Sequence, residues 1–182
     1  ESCILATYKI YTMKQLLLLP LLFISVISFG QVPNYVPTDS LVAWYEFNSN
    51  ANDLTGNGFN GVPTNVTLSN DRFGNPNSAY FFNGSTSHIS LPNTGNLDFS
   101  GGITFSAWVR MSSVKHASII DKVIGCGQGI GFRTNVRLTS KINSTVSCYG
   151  VGSSVAESSM NYVTSTWYHV VGTYSSNEGT KI

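Results

Sequence analysis

Charge is what this chain most lacks. Only 10% of its 182 residues are charged, against roughly 25% in ordinary soluble domains. The formal net charge is +1, and scattered, balanced charge excludes the basic stripe that nucleic acid requires. Histidine is also scarce: His88, His116 and His169 show no short ligand spacing, which argues against zinc. No Ser lies in a Gly-x-Ser-x-Gly turn, so the nucleophile elbow of the α/β hydrolases is excluded. Long helical patterns are missing as well. The polarity comes from Asn, Ser, Thr and Gly, and that mixture with β-branched residues builds short strands joined by turns.

One apolar run stands out, Leu16 to Phe29, preceded by Met13-Lys14-Gln15 and ending at Ser28-Phe29-Gly30. A charged start, an apolar middle and small residues before a cut at Gln31 make residues 13–30 a secretory signal peptide. The run falls short of the ~20 apolar residues of a membrane-spanning helix, so no membrane span is expected after its removal. The mature chain is therefore expected to be secreted, extracellular or on the cell surface. Residues 1–12 precede a complete signal and read as upstream read-through. Setting aside residues 1–30 removes Lys9, Lys14 and Glu1 and leaves eight residues of each sign. It also removes Cys3, leaving Cys126 and Cys148. In an exported chain such a pair is more often a disulfide than a metal or redox site, and the closed loop would add about 3 kcal/mol of stability.

Residues 31–40 contain Pro33 and Pro37 and read as an extended leader. From Leu41 the pattern becomes short strands: Leu41–Phe47, Val62–Leu68, Ala79–Asn83, His88–Leu91, Ile103–Met111, Ser118–Ile124, Gly129–Asn135, Val136–Ile142, Thr145–Val151 and Trp167–Tyr174. The clearest is Ile103–Met111. Ile103, Phe105, Ala107, Val109 and Met111 share one face, and Thr104, Ser106, Trp108 and Arg110 share the other. Strands of this length without helices between them predict an all-β antiparallel sandwich or jelly roll. Thr180-Lys181-Ile182 opens a further strand, so the domain over 41–182 is expected to be incomplete at its C-terminal end.

Leu41-Val42-Ala43-Trp44-Tyr45-Glu46-Phe47, followed by Ala51-Asn52-Asp53 and Gly56-Asn57-Gly58, resembles the opening of the LamG-like jelly-roll domains of the concanavalin A-like lectin/glucanase superfamily. The resemblance continues through Arg72-Phe73-Gly74, Ala79-Tyr80, Phe82-Asn83-Gly84, Ile89-Ser90-Leu91-Pro92, Ile103–Val109 and Trp167-Tyr168-His169-Val170-Val171. Each piece is weak alone; their order and spacing together are specific. The resemblance implies a carbohydrate-binding, adhesive or accessory module of a larger secreted protein. The superfamily also holds glucanases, so fold does not settle function.

Glycoside hydrolysis needs two carboxylates flanking the bond, and laminarinase-like relatives carry theirs on one strand as Glu-x-Asp-x-x-Glu. Here no two of Asp39, Glu46, Asp53, Asp71, Asp98, Asp121, Glu157 and Glu178 have the spacing to share a strand face, so the chain is read as no enzyme. Asp53-Leu54-Thr55-Gly56-Asn57-Gly58 sets oxygen side chains at alternate positions, as calcium loops do. The twelfth position of an EF-hand would be Thr64, which excludes that motif. LamG-like relatives often carry calcium on such loops, which makes Asp53 and Asn57 the candidate ligands; plain Asx-turn chemistry is the alternative. Trp44, Trp108 and Trp167 suit either core packing or stacking on sugar rings. Trp108 is the best placed for stacking, because alternation sets it beside Arg110 away from the core, and these two are the candidate ligand-binding residues. The expectation is a non-catalytic module recognising a glycan or a cell-surface protein. A structural spacer is the alternative reading, and a glucanase-like hydrolase the third.

Overall fold

Small polar and β-branched residues build short strands, and the computed structural model shows them. It describes residues 32–92, 102–122, 130–148, 152–175 and 177–182. Among these are β1 (Val62–Thr64), β2 (Val66–Ser69), β3 (Ala79–Phe82), β4 (His88–Ser90), β5 (Gly102–Arg110), β6 (Ala117–Lys122), β7 (Ile130–Val136), β8 (Ile142–Cys148), β9 (Gly152–Glu157), β10 (Trp167–Ser175) and β11 (Gly179–Lys181). The described residues contain no helix.

The strands form a three-stranded sheet in the order β11-β10-β5, a four-stranded sheet in the order β6-β7-β8-β9, and two hairpin-sized sheets, β1-β4 and β2-β3. Every pairing is antiparallel. The two larger sheets close on one core. Val136, Ile142, Tyr162 and Val170 are buried there, with Val109, Met111, Ala117, Ile119 and Tyr168 packed around them. Alternation explains the choice of residues. Odd-numbered positions of β5 and even-numbered positions of β10 turn inward, and their neighbours turn out. At the other end β11 is tied to β9, where the Thr180 backbone N–H donates to Ser154 Oγ at 2.8 Å and Thr180 Oγ1 donates to the Ser154 carbonyl at 3.1 Å. The fold is an all-β antiparallel sandwich.

Three segments differ from the sequence expectation. Leu41–Phe47 is not a strand. The Trp44 backbone N–H donates to Asp53 Oδ1 and its carbonyl accepts from Leu54 N–H, and Phe47 leaves the extended region at φ 58°. Its alternation instead marks an aromatic cluster: Tyr45 stacks on Phe47 at 5.7 Å, and Phe47 meets Tyr80 edge-on at 5.5 Å. The expected strand Val62–Leu68 is cut into β1 and β2 by Asn65, which takes φ 51°, a conformation Asn tolerates better than most residues. Where a strand over Val136–Ile142 was expected, residues 137–141 are the turn joining β7 to β8. Ser140 sits at φ 58°, and Arg137 N–H donates to the Lys141 carbonyl at 2.9 Å. Val136 and Ile142 are cross-strand partners on the buried face, so the apolar pair flanks the turn.

Candidate functional site

The outward face of the β5–β10 pair carries Thr104, Ser106, Trp108 and Arg110 from β5. Opposite them in register stand Thr173, Val171, His169 and Trp167 from β10. Trp108 stacks on its partner His169, with ring centroids 5.0 Å apart and planes 19° from parallel. One row along, the Arg110 guanidinium lies 5.2 Å from the centre of its own partner, Trp167. His169 Nε2 is 2.7 Å from Ser106 Oγ, a diagonal hydrogen bond that orients the imidazole. Cross-strand pairs of this kind are the unit of sheet stabilisation, and here two of them present aromatic and cationic groups to solvent.

A second element completes the arrangement. The turn between β2 and β3 is built around Asp71. Its Oδ1 accepts from Phe73 N–H at 2.8 Å and Asn75 N–H at 2.9 Å, and its Oδ2 accepts from Asn75 Nδ2 at 2.9 Å. Desolvation lifts the Asp71 carboxyl pKa, but these hydrogen bonds and the neighbouring Arg72 charge outweigh it and hold the group below its ordinary value. Gly74, at φ 88°, supplies the left-handed residue that closes the turn. The turn places the Arg72 guanidinium 4.3 Å from the ring centre of Phe73 and 4.5 Å from that of Trp108, well inside cation–π range. Phe73, Arg72, Trp108 and His169 therefore form a continuous run of ring and cation contacts across two sheets. Phe73 is 73% exposed and Trp108 46%.

A protein-family model described as the concanavalin A-like lectin/glucanases superfamily, Laminin_G_3, matches residues 83–182, more than half of the chain. The chain belongs to this laminin G-like family. No curated protein and no solved structure matches it. Laminin G-like domains are as a class extracellular binding modules, typically non-catalytic, within a superfamily that includes glycosidases. The match covers β4 to β11 and hence Trp108, Arg110, Trp167 and His169, while Arg72 and Phe73 lie ahead of it.

Of the residues singled out from sequence, Trp108 and Arg110 stand on one face of β5, as alternation requires. His169 is exposed on this face, and Trp167 is half-buried beside it. Arg72 was missed because the ordering of its turn is visible only in the Asp71 hydrogen bonds. The sequence signals are Arg72-Phe73-Gly74 as part of the family resemblance and the turn composition of Arg72-Phe73-Gly74-Asn75-Pro76, and neither places the guanidinium on Trp108. Trp44 has its Nε1 buried without a hydrogen-bond partner among the described residues.

Asp53 and Asn57 are brought together, though with other partners than a cation. Asp53 is 8% exposed. Its Oδ1 accepts from Trp44 N–H, Thr55 N–H and Thr55 Oγ1, and its Oδ2 accepts from Thr55 Oγ1 and Phe59 N–H. Burial raises the carboxyl pKa, and the hydrogen bonds from Thr55, Trp44 and Phe59 more than offset it, so the group sits below its ordinary value. Tyr45, whose hydroxyl donates to the Phe59 carbonyl at 2.6 Å, is pushed up to about 12 by burial and by the Asp53 charge. Asn57 Nδ2 donates to the carbonyls of Leu41 and Val42. So arranged, the loop does not fit a calcium ion, because the carboxylate faces N–H and O–H hydrogens and not an open coordination site. Among the described residues no three His, Cys, Asp or Glu gather, and no helix is long and apolar enough to cross a membrane. Cys126 and residues 13–30, over which a signal peptide is expected, lie outside the described residues. Cys148 ends β8, so its pairing with Cys126 stands as a sequence expectation.

Proposed function

We propose that this laminin G-like domain is a non-catalytic extracellular module that recognises carbohydrate through the outward face of β5 and β10. The observation that carries the reading is Trp108, 46% exposed in the middle of a sheet face, with Arg72 and His169 against its ring. A soluble domain gains nothing in folding from leaving Phe73 and Trp108 open side by side, and exposed apolar groups rimmed by polar ones mark binding surfaces. Aromatic surface bordered by hydroxyls (Thr104, Ser106, Thr173) and by guanidinium donors offers a sugar both an apolar platform and hydrogen-bond partners.

A glycosidase needs two carboxylates about 5–5.5 Å or 6.5–9.5 Å apart, whereas the outward positions of β5 and β10 supply Thr, Ser, Trp, Arg, His and Val, a set suited to binding. The export signal read over residues 13–30 is in keeping with an extracellular role. The test is a glycan array followed by calorimetry with wild type and Trp108→Ala. The expected result is a bound glycan whose affinity falls by about tenfold or more in the variant, the scale of one lost aromatic contact. An array with no binder, or a binder indifferent to Trp108, would overturn the reading.

A further inference from the structure

We infer that the glycan taken by this face carries carboxylates, as polyuronates do, and that Arg72 is the residue that reads them. This deepens the proposed function and rests on it.

Arg72 is built for such a role by its surroundings. Phe73 and Trp108 lie 4.3 and 4.5 Å from its guanidinium carbon, so the group is held against two rings. The N–H donors of a guanidinium lie in its plane, at the edge. A guanidinium held against two rings loses little further freedom when its edge is bonded, and a planar fork matches a planar carboxylate with two parallel hydrogen bonds. The turn beneath it is held by three hydrogen bonds to the Asp71 carboxylate, two from backbone N–H groups and one from the Asn75 side chain, so the fork is carried on a fixed turn.

Charge bookkeeping points the same way. Arg133 is paired with Asp121 at 2.9 Å, Lys181 with Glu178 at 2.6 Å, and Lys141 with the carbonyls of Ser158 and Ser159. Among the described residues neither Arg72 nor Arg110 has a carboxylate within ion-pair distance. Both are stacked on aromatic rings of one face. Lys115 and Arg137 also lack a carboxylate partner among the described residues; what sets Arg72 and Arg110 apart is that both guanidinium groups stack on rings of one aromatic face, where together they complement an anion. The hydroxyls of Thr104, Ser106 and Thr173 along the same two strands favour a polyol chain over an acidic peptide.

The experiment compares polygalacturonate and alginate with fully methyl-esterified polygalacturonan, dextran sulfate and poly-glutamate, using the full chain and the variants Arg72→Ala and Arg72→Lys. Binding of at least one polyuronate is expected, weakened by roughly tenfold or more when its carboxylates are esterified and by a similar factor in Arg72→Ala. Arg72→Lys keeps the charge but not the fork, and it should not restore binding. Unchanged melting temperatures of both variants would show that the loss is not unfolding. Equal binding of the acid and ester forms, or of neutral glycans alone, overturns the inference and leaves the glycan reading standing. A preference for dextran sulfate or poly-glutamate overturns it in favour of sulfate or an acidic protein. Failure of every glycan removes both readings.

Discussion

The ring of Phe105 lies over the Cα of Gly172, its cross-strand partner, so closely that a Cβ at residue 172 would sit 2.0 Å from Phe105 Cζ. Glycine inside a strand often marks such an approach, and here it lets an aromatic ring settle on the inner side of the pair whose outer side carries Trp108 and His169. Gly172→Ala should therefore destabilise by roughly 1–3 kcal/mol, the usual scale of core overpacking. Combining it with Phe105→Leu should recover part of that loss, since the two positions are in direct contact. Urea unfolding of the four chains measures the cycle; an alanine tolerated without loss would show that the ring moves aside freely.

Acid should loosen the segment that Asp53 organises. Its folded pKa lies below the ordinary value, so its contribution is full above the unfolded pKa of about 3.9 and is lost as pH falls through the folded one. Asp71 and Glu178 are also held low and share this limb, so the informative quantity is the difference between wild type and Asp53→Asn. The variant should be less stable at neutral pH by about 1–3 kcal/mol, and that gap should shrink as pH falls below about 4. Melting temperatures between pH 7 and pH 2 check it. Parallel curves would mean that Asp53 is not the group concerned.

Calcium should leave the melting temperature where chelator sets it. The Asp53 carboxylate accepts from Trp44, Thr55 and Phe59, and Asn57 is turned to two carbonyls through its amide nitrogen. An ion would have to break this set before binding. Scanning at about 1 mM calcium, the weak end for extracellular modules, is a sufficient test, because any ion bound to the folded state must raise the midpoint. A rise that Asp53→Asn abolishes would make Asp53 a ligand after all.

What the sequence made legible was whatever depends on local period. The alternation of β5 is plain in Ile103–Met111, and with it the placing of Trp108 and Arg110 on one face. The all-β architecture follows from the same pattern. Turn positions were less readable. The hairpin at 137–141 depends on Ser140 adopting a left-handed conformation, which Ser seldom announces. β9, Gly152-Ser153-Ser154-Val155-Ala156-Glu157, has too few apolar residues to alternate. Leu41–Phe47 has the right period, but its backbone is claimed by Asp53 and Leu54. The site itself was half visible, since nothing local in Arg72 tells that its turn reaches Trp108 in another sheet. His169 was hidden for a related reason: its exposure follows from the register with β5, and register is not a local property.

Thr134 and Ser144 face each other across β7 and β8, fully buried, with Oγ1 and Oγ 3.3 Å apart. Each hydroxyl is the other's partner in a core otherwise lined by Val136 and Ile142. Removing one leaves a buried hydroxyl unpaired, which costs about 1–3 kcal/mol, whereas replacing both by apolar groups of similar shape can be nearly neutral. Thr134→Val and Ser144→Ala should therefore each destabilise, while the double variant should lose clearly less than the two losses added together. Chemical denaturation of the four chains gives the coupling directly. Simple additivity would mean that each hydroxyl finds another acceptor, and that the 3.3 Å contact contributes nothing to holding the four-stranded sheet in register.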